Sequence, residues 1–183
     1  MKNILITGGA GFIGYGLSKN LVNKGFNVTI LDNLSKKIHS NRDKYNYLKQ
    51  ITKFIKGDIN SRKDWEKAIM DQDAIIHLAS LSNDPLGEFN PNLTNEINNL
   101  STVKLSKIAK KVGVKRFVYA STQSIYGISN TSQELDEYES IKNPISAYAK
   151  TKWISEQKIM KMSSDNFIVT AFRPATVFGP SPR

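Results

Sequence analysis

Short β-branched runs alternate with stretches of helical spacing along the whole chain. Asn3-Ile4-Leu5-Ile6-Thr7 predicts a strand. From Phe12 to Asn23 the apolar residues Ile13, Leu17, Leu21 and Val22 recur at helical spacing, and Gly25 ends that helix. Asn27 to Leu31 predicts a second strand and Thr52 to Lys56 a third. The Lys- and Asn-rich residues between them, 36–50, predict a loop with a weak helix. Ser61 is placed to cap a helix running to Met70, and Ala74 to Leu78 predicts a buried fourth strand. The longest helix is expected from Pro91 to Lys111, with Leu93, Ile97, Leu100, Lys104, Ile108 and Val112 along one face. That face is apolar except for Lys104, and Gly113 closes it. Arg116 to Ala120 predicts a fifth strand, Ala147 to Met162 a helix, and Asn166 to Phe172 a sixth strand.

Alternation of this kind predicts an α/β fold, a doubly wound parallel sheet of about six strands with helices on both faces. The 183 residues suffice for one domain, 1–183, with its own core. The sequence shows no internal repeat, low-complexity tract or linker.

Composition narrows the chemistry. There is no cysteine, which excludes disulfides, thiolate metal sites and Cys nucleophiles. The two histidines, His39 and His77, lie far apart, so no metal site is expected. No apolar run approaches membrane-spanning length, so no membrane partner is expected. The apolar N-terminal run is interrupted by Thr7 and glycines, unlike a signal peptide, and a soluble cytoplasmic protein is the expectation. The net charge of +10 invites a nucleic-acid partner. Against it, the basic residues are mostly lysines spread along the chain, and the densest spots are only Lys36-Lys37 and Lys110-Lys111. The expectation is no nucleic acid, but a general attraction for anionic metabolites.

The strongest local signal is Gly8-Gly9-Ala10-Gly11-Phe12-Ile13-Gly14, directly between the first strand and the first helix. Gly8 permits a tight turn, Gly11 lets the backbone approach a pyrophosphate, and Gly14 lets helix and strand pack closely. Free N–H groups and the helix dipole would hold the phosphates. Asp32 ends the second strand, where a carboxylate accepts both ribose hydroxyls and repels a 2′-phosphate. This favours NAD over NADP, although Lys36 and Lys37 stand nearby. Tyr148 and Lys152, four residues apart, share one helix face. Ser121, Thr122 and Ser124 follow the fifth strand at the sheet edge where ligands bind in open α/β folds.

In order and spacing, several segments together resemble the extended short-chain dehydrogenase/reductases of the NAD-dependent epimerase/dehydratase family. They are Thr7 through Gly14, Asp32-Asn33-Leu34, Gly57-Asp58-Ile59, His77-Leu78-Ala79, Ser121-Thr122 with Ile125-Tyr126-Gly127, Tyr148 through Lys152, and Arg173-Pro174 through Phe178-Gly179-Pro180. The branch is the one that modifies sugar nucleotides, and the match is to its N-terminal Rossmann portion. The resemblance implies NAD bound by Gly8, Gly11, Phe12, Ile13 and Gly14 of the loop and by Asp32 and Asn33. It puts Asp58 and Ile59 beside the adenine and Leu78, Ala79 and Ser80 along the dinucleotide. It places Asn98 on the helix behind the active site, gives Tyr148 and Lys152 a part in holding the cofactor, and makes His77 a structural residue. Thr122, Tyr148 and Lys152 become the catalytic residues, and a sugar nucleotide or related small molecule the substrate.

The implied reaction has Tyr148 remove a proton from a substrate hydroxyl held by Thr122 while hydride passes to NAD. A free tyrosine has a pKa near 10, so this base must fall by about 3 units, roughly 4 kcal/mol. The resemblance also implies a homodimer through a four-helix bundle, with Leu100, Lys104 and Lys107 near the interface. The chain departs from the family in three places. It ends where a smaller C-terminal substrate lobe is expected. Gln123 and Ser124 stand where the 4,6-dehydratases carry Asp-Glu, which disfavours that elimination. Thr176 replaces an Asn that many relatives set against the substrate. A non-catalytic NAD-binding module is the alternative, and a basic surface-binding domain a third reading. The presence of Thr122, Tyr148 and Lys152 favours the enzyme, since a pure binder does not need all three.

Overall fold

In a computed structural model, which describes residues 1–35, 42–82, 84–128 and 134–179, six strands form one fully parallel sheet. They are β1 (Asn3–Thr7), β2 (Asn27–Asp32), β3 (Lys53–Lys56), β4 (Ala74–His77), β5 (Arg116–Ala120) and β6 (Ile168–Phe172). Their spatial order is β3-β2-β1-β4-β5-β6. This is the order of the Rossmann fold, with its switch point between β1 and β4. The expected doubly wound parallel sheet is present.

Alternate strand positions feed two separate cores, as the pleat requires. Leu5, Leu31, Ile75, Phe117 and Val169 face one side. There they meet Trp65 of α3 (Arg62–Ile69), Leu105 of α6 (Thr102–Lys111) and Ile159 of α7 (Ala147–Met160). Ile4, Ile6, Val28 and Ile30 face the other side, against Leu17 and Leu21 of α1 (Phe12–Asn23) and Leu48 of α2 (Arg42–Ile51). Most of these strand residues are fully buried, which explains their near-continuous apolar runs.

Three local features differ from the expectation. Residues 42–51, read as loop with weak helix, form the regular helix α2, because Leu48 is fully buried and anchors it. Lys36, Lys37 and His39 lie outside the described residues. A short helix, α4 (Asp84–Phe89), precedes α5 (Pro91–Asn95), which is capped by Asn90 accepting from Leu93 N–H at 3.0 Å. The expected single helix from 91 to 111 is α5, a wider π-helical turn at Glu96–Ser101, and α6.

The face of that composite helix is also inverted. Leu93, Leu100 and Val112 are exposed, and Ile97 and Ile108 are only half-buried. The inward face is Thr94, Asn98, Asn99, Ser101, Thr102, Leu105, Ser106 and Ala109. Small and polar residues go inside because each finds a partner there. Thr102 bonds His77, Ser101 bonds Asn60, and the Asn98 carbonyl accepts from Ser155.

Candidate functional site

All the strands point their C-terminal ends to one edge, and the loops there enclose a cavity of about 930 Å³. At its floor the glycine loop leaves β1. Gly8 has φ +71°, a left-handed conformation suited to glycine, and a Cβ there would meet Ala79 N at 2.8 Å. A Cβ on Gly14 would lie 2.6 Å from the Gly9 Cα, so helix and loop touch backbone to backbone. The loop is braced by Gly8 N–H donating to the Leu31 carbonyl (2.8 Å) and Gly11 N–H to the Gly8 carbonyl (3.0 Å).

Asp32, buried at the end of β2, accepts the Ala10 N–H at 3.0 Å on one oxygen and the Leu34 N–H at 2.9 Å on the other. Asn33 donates to Asp58 at 3.3 Å, joining the two segments expected beside the adenosine. Asp64, on α3, accepts the Asp58 N–H, and this bond holds its carboxyl below the usual range. Thr7 ties β1 to the segment after β4, its carbonyl accepting from Leu78 N–H and its hydroxyl from Ala79 N–H.

The far half of the cavity is built on β5 and α7. The N-terminal end of α7 is capped by Ser146, whose hydroxyl accepts the Ala149 N–H at 3.1 Å. Tyr148 and Lys152 follow one turn apart and are buried. Gly87 of α4 packs on Tyr148, where a Cβ would come within 2.9 Å of the tyrosine Cβ. Lys152 Nζ donates to the Ala120 carbonyl at 2.8 Å and lies over the rings of Tyr119 (5.0 Å) and Tyr148 (5.9 Å).

Burial pushes the Lys152 ammonium down to about 7. Burial also raises Tyr148 above its ordinary value. The neighbouring Thr122 hydroxyl works the other way, and the Asp84 carboxylate raises it further. The protein alone therefore holds this phenol protonated at neutral pH. His77 is fully buried, with Nδ1 2.7 Å from the Thr7 hydroxyl and Nε2 2.8 Å from the Thr102 hydroxyl. Burial, with Lys152 adding to it, pushes His77 down to about 3, so it is a neutral structural residue.

Gly8, Gly11, Phe12, Ile13, Gly14, Asp32, Asn33, Asp58, Ile59, Leu78, Ala79, Ser80, Thr122, Tyr148 and Lys152 all line this one cavity. Asn98 does not. It is fully buried, and its amide accepts from Leu81 N–H (2.9 Å) and donates to the Leu81 carbonyl (3.0 Å). Its place is behind the wall, shaping the segment after β4. The sequence reading missed Asp84 and Ser82 on the wall, and Gly87 beneath Tyr148. A lone glycine in a helical stretch was the one available signal for the last.

The sequence matches the NAD dependent epimerase/dehydratase family over residues 4–183. The chain belongs to this family. It is 32% identical over 196 residues to sterol-4-alpha-carboxylate 3-dehydrogenase (decarboxylating) of Saccharomyces cerevisiae, covering 100% of this chain and 53% of that protein. It is 31% identical over 194 residues to UDP-glucose 4-epimerase of Bacillus subtilis, covering 98% and 54%. In structure it is similar to UDP-glucose 4-epimerase of Thermotoga maritima with UDP-glucose, with TM-score 0.85, 28% identity, and 97% and 57% of the two chains covered. It is also similar to MoeE5 in complex with UDP-glucose and NAD, with TM-score 0.83, 29% identity, and 99% and 56% covered. The chain spans about half the length of the relatives it matches. The cofactor of the family is NAD, and the donor set here fits it. A glycine-rich loop opens α1, and a carboxylate stands at the end of β2. Among the described residues, no helix is long and apolar enough to cross a membrane, and no group of His, Asp or Glu is arranged to hold a metal.

Proposed function

We propose that residues 1–183 form one NAD-binding domain of an enzyme that epimerises or oxidises a sugar nucleotide, with Tyr148 as the base. One observation carries the reading. A single cavity runs from the glycine loop and Asp32 to Thr122, Tyr148 and Lys152. NAD held by the glycine loop and Asp32 would supply the hydride acceptor and a positive charge. Thr122 holds the substrate hydroxyl, Tyr148 takes its proton, and Lys152 holds the nicotinamide ribose. A positive charge beside Tyr148 favours phenolate, which offsets the burial that raises it here. Gln123 and Ser124, on the wall beside Thr122, carry no acid to protonate a leaving hydroxyl, so water elimination at that position is not part of the proposal.

The test uses the whole chain. Calorimetry with NAD and NADP should show tighter NAD binding, and the reverse would overturn the role of Asp32. With NAD bound, UDP-glucose, UDP-glucuronic acid and UDP-N-acetylglucosamine are then offered while reduced-nicotinamide fluorescence is followed. A signal from any of them supports the enzyme. NAD binding with no response is expected where turnover needs the substrate lobe, so the panel is then repeated on a chain extended by such a lobe, and silence there supports the binding module.

We also propose a homodimer through the composite helix 91–111 and α7. Leu100 and Ile154 lie exposed on these helices and are the apolar positions a second copy would cover.

A further inference from the structure

Behind the tyrosine–lysine pair lies a buried charge that the chemistry above does not use. Glu156 sits on α7 one turn beyond Lys152 and is 4% exposed. Its carboxylate accepts the Ser121 hydroxyl at 2.5 Å, and Arg173 through Nη2 at 2.5 Å and Nε at 3.2 Å. Arg173 follows β6, and its Nη1 donates to the Tyr126 hydroxyl at 2.7 Å and the Glu137 carbonyl at 2.8 Å. A carboxylate this deep is tolerated only when paired and fully bonded. Arg173 supplies the counter-charge, which leaves the Ser121 bond to be explained.

Ser121 stands between the two β5-end residues that address the site. The carbonyl of Ala120 accepts Lys152 Nζ, and the hydroxyl of Thr122 lies beside Tyr148. The Ser121 backbone N–H is bonded to the Phe172 carbonyl at 2.8 Å, which fixes it to β6. The Ser121–Glu156 bond then joins this rigid sheet end directly to the helix that carries both reactive side chains. A displacement of about 1 Å in such a site costs heavily in rate.

We propose that Ser121 and Glu156 are positioning residues for Tyr148. Their bond locks α7 to the end of β5 in the register that sets Thr122 against the phenol and the Ala120 carbonyl against Lys152. This rests on the reading of Tyr148 as the base. The groups that face the phenol are Thr122, which lowers it, Asp84 on α4, which raises it, and Lys152 over its ring. Loss of the register would move the phenol off Thr122 and hinder its ionisation. Ser121→Ala breaks the bond, leaves the Glu156–Arg173 pair in place and changes no charge.

The experiment titrates the NAD-saturated chain with pH, follows tyrosinate absorbance, and subtracts the same curve for Tyr148→Phe. In the wild type the difference should show one tyrosine ionising ahead of the others. At saturating NAD, Ser121→Ala should move that midpoint up by about one unit, a tenfold loss of phenolate at a given pH. Ser106→Ala removes a comparably buried hydroxyl, on α6, that donates to the Val103 carbonyl, and should leave the midpoint in place. A Ser121→Ala midpoint equal to wild type overturns the proposal while Tyr148 remains the base. An equal shift in Ser106→Ala overturns it as general loosening. A wild-type difference with no early tyrosine overturns the base itself, and the proposal with it.

Discussion

The carboxylate of Asp32 holds the backbone N–H of Ala10 at 3.0 Å, tying the end of β2 to the middle of the glycine loop. The residue proposed to read the ribose thus also shapes the loop proposed to hold the phosphates. Asp32→Ala removes both functions and should weaken NAD by about 1–3 kcal/mol, the order for charge-assisted hydrogen bonds. Asp32→Asn keeps one acceptor oxygen and should lose less. Calorimetric titration with NAD separates the two, and equal affinities for both variants and wild type would remove Asp32 from the site.

Two glycines of α1 make opposite predictions. Gly14 has no room, since a Cβ would lie 2.6 Å and 2.8 Å from Gly9 backbone atoms. Gly14→Ala must push loop and helix apart, at about 1–3 kcal/mol or more, and should abolish NAD binding. Gly16, one half-turn on, has nothing within 4 Å of its Cβ position. Gly16→Ala should stabilise the protein by about 0.5–1 kcal/mol, because only the flexibility of the helix backbone is removed. Urea melts of the two variants check the contrast.

His77 predicts a pH window. Its folded-state pKa is depressed to about 3 from 6.5, so the folded chain keeps it neutral. Below pH 6.5 the unfolded chain takes up a proton that the folded one refuses. Stability tied to this group is therefore intact above pH 6.5 and is lost as pH falls toward 3, at about 1.4 kcal/mol per unit. His77→Gln loses bonds to Thr7 and Thr102 and should be less stable at neutral pH. The gap to wild type should narrow steadily as pH falls through the window, measured by urea melts at each pH.

The sheet and the glycine-loop end of the cavity were legible because their signals are local. Ile4, Leu5 and Ile6 are β-branched or apolar without a break, and Gly8 to Gly14 sit between a strand and a helix as the phosphate loop requires. The inverted helix face was not legible. Hydrophobic spacing put Leu93, Leu100 and Val112 on one face, but tertiary hydrogen bonds drew Asn98, Ser101 and Thr102 inward and left that face largely outward. The π-helical turn at Glu96–Ser101 shifts the register between the two halves of that helix, which no fixed period anticipates. The resemblance, not the spacing, set Asn98 behind the active site, and its bonds to Leu81 there are reached only through the fold. Gly87 and Glu156 were likewise invisible, because their partners Tyr148 and Ser121 lie far away in sequence.

The exposed Leu100 yields the prediction on assembly. Leu100 is 43% exposed, and the lysines Lys104 and Lys107 beside it are exposed too. If a second copy covers this face, Leu100→Lys removes an apolar contact and adds like charge across the two-fold axis. Light scattering should then show a wild-type dimer at micromolar concentration and a shift to monomer in the variant. A wild-type monomer under these conditions would overturn the interface.

The sharpest prediction concerns Tyr148 and Thr122 together. Tyr148→Phe keeps the ring that packs on Gly87 and removes only the hydroxyl. Thr122→Val keeps the shape of the side chain and removes the group beside that hydroxyl. Thr122 also accepts the Ser124 N–H at 3.1 Å, so its variant should lose some stability while Tyr148→Phe should lose none. If the phenol takes the proton, then in a chain extended by the expected C-terminal lobe Tyr148→Phe should cut UDP-glucose-dependent reduction of bound NAD by about 10²–10⁴-fold, the range for a positioned acid or base. NAD affinity should stay near wild type, because Asp32 and the glycine loop are untouched. Thr122→Val should lower the rate less, and should raise the pH at which activity appears, since it removes a side chain that lowers the phenol. A Tyr148→Phe protein that reduces NAD at the wild-type rate would move the base elsewhere in the cavity, with Asp84 the first residue to replace.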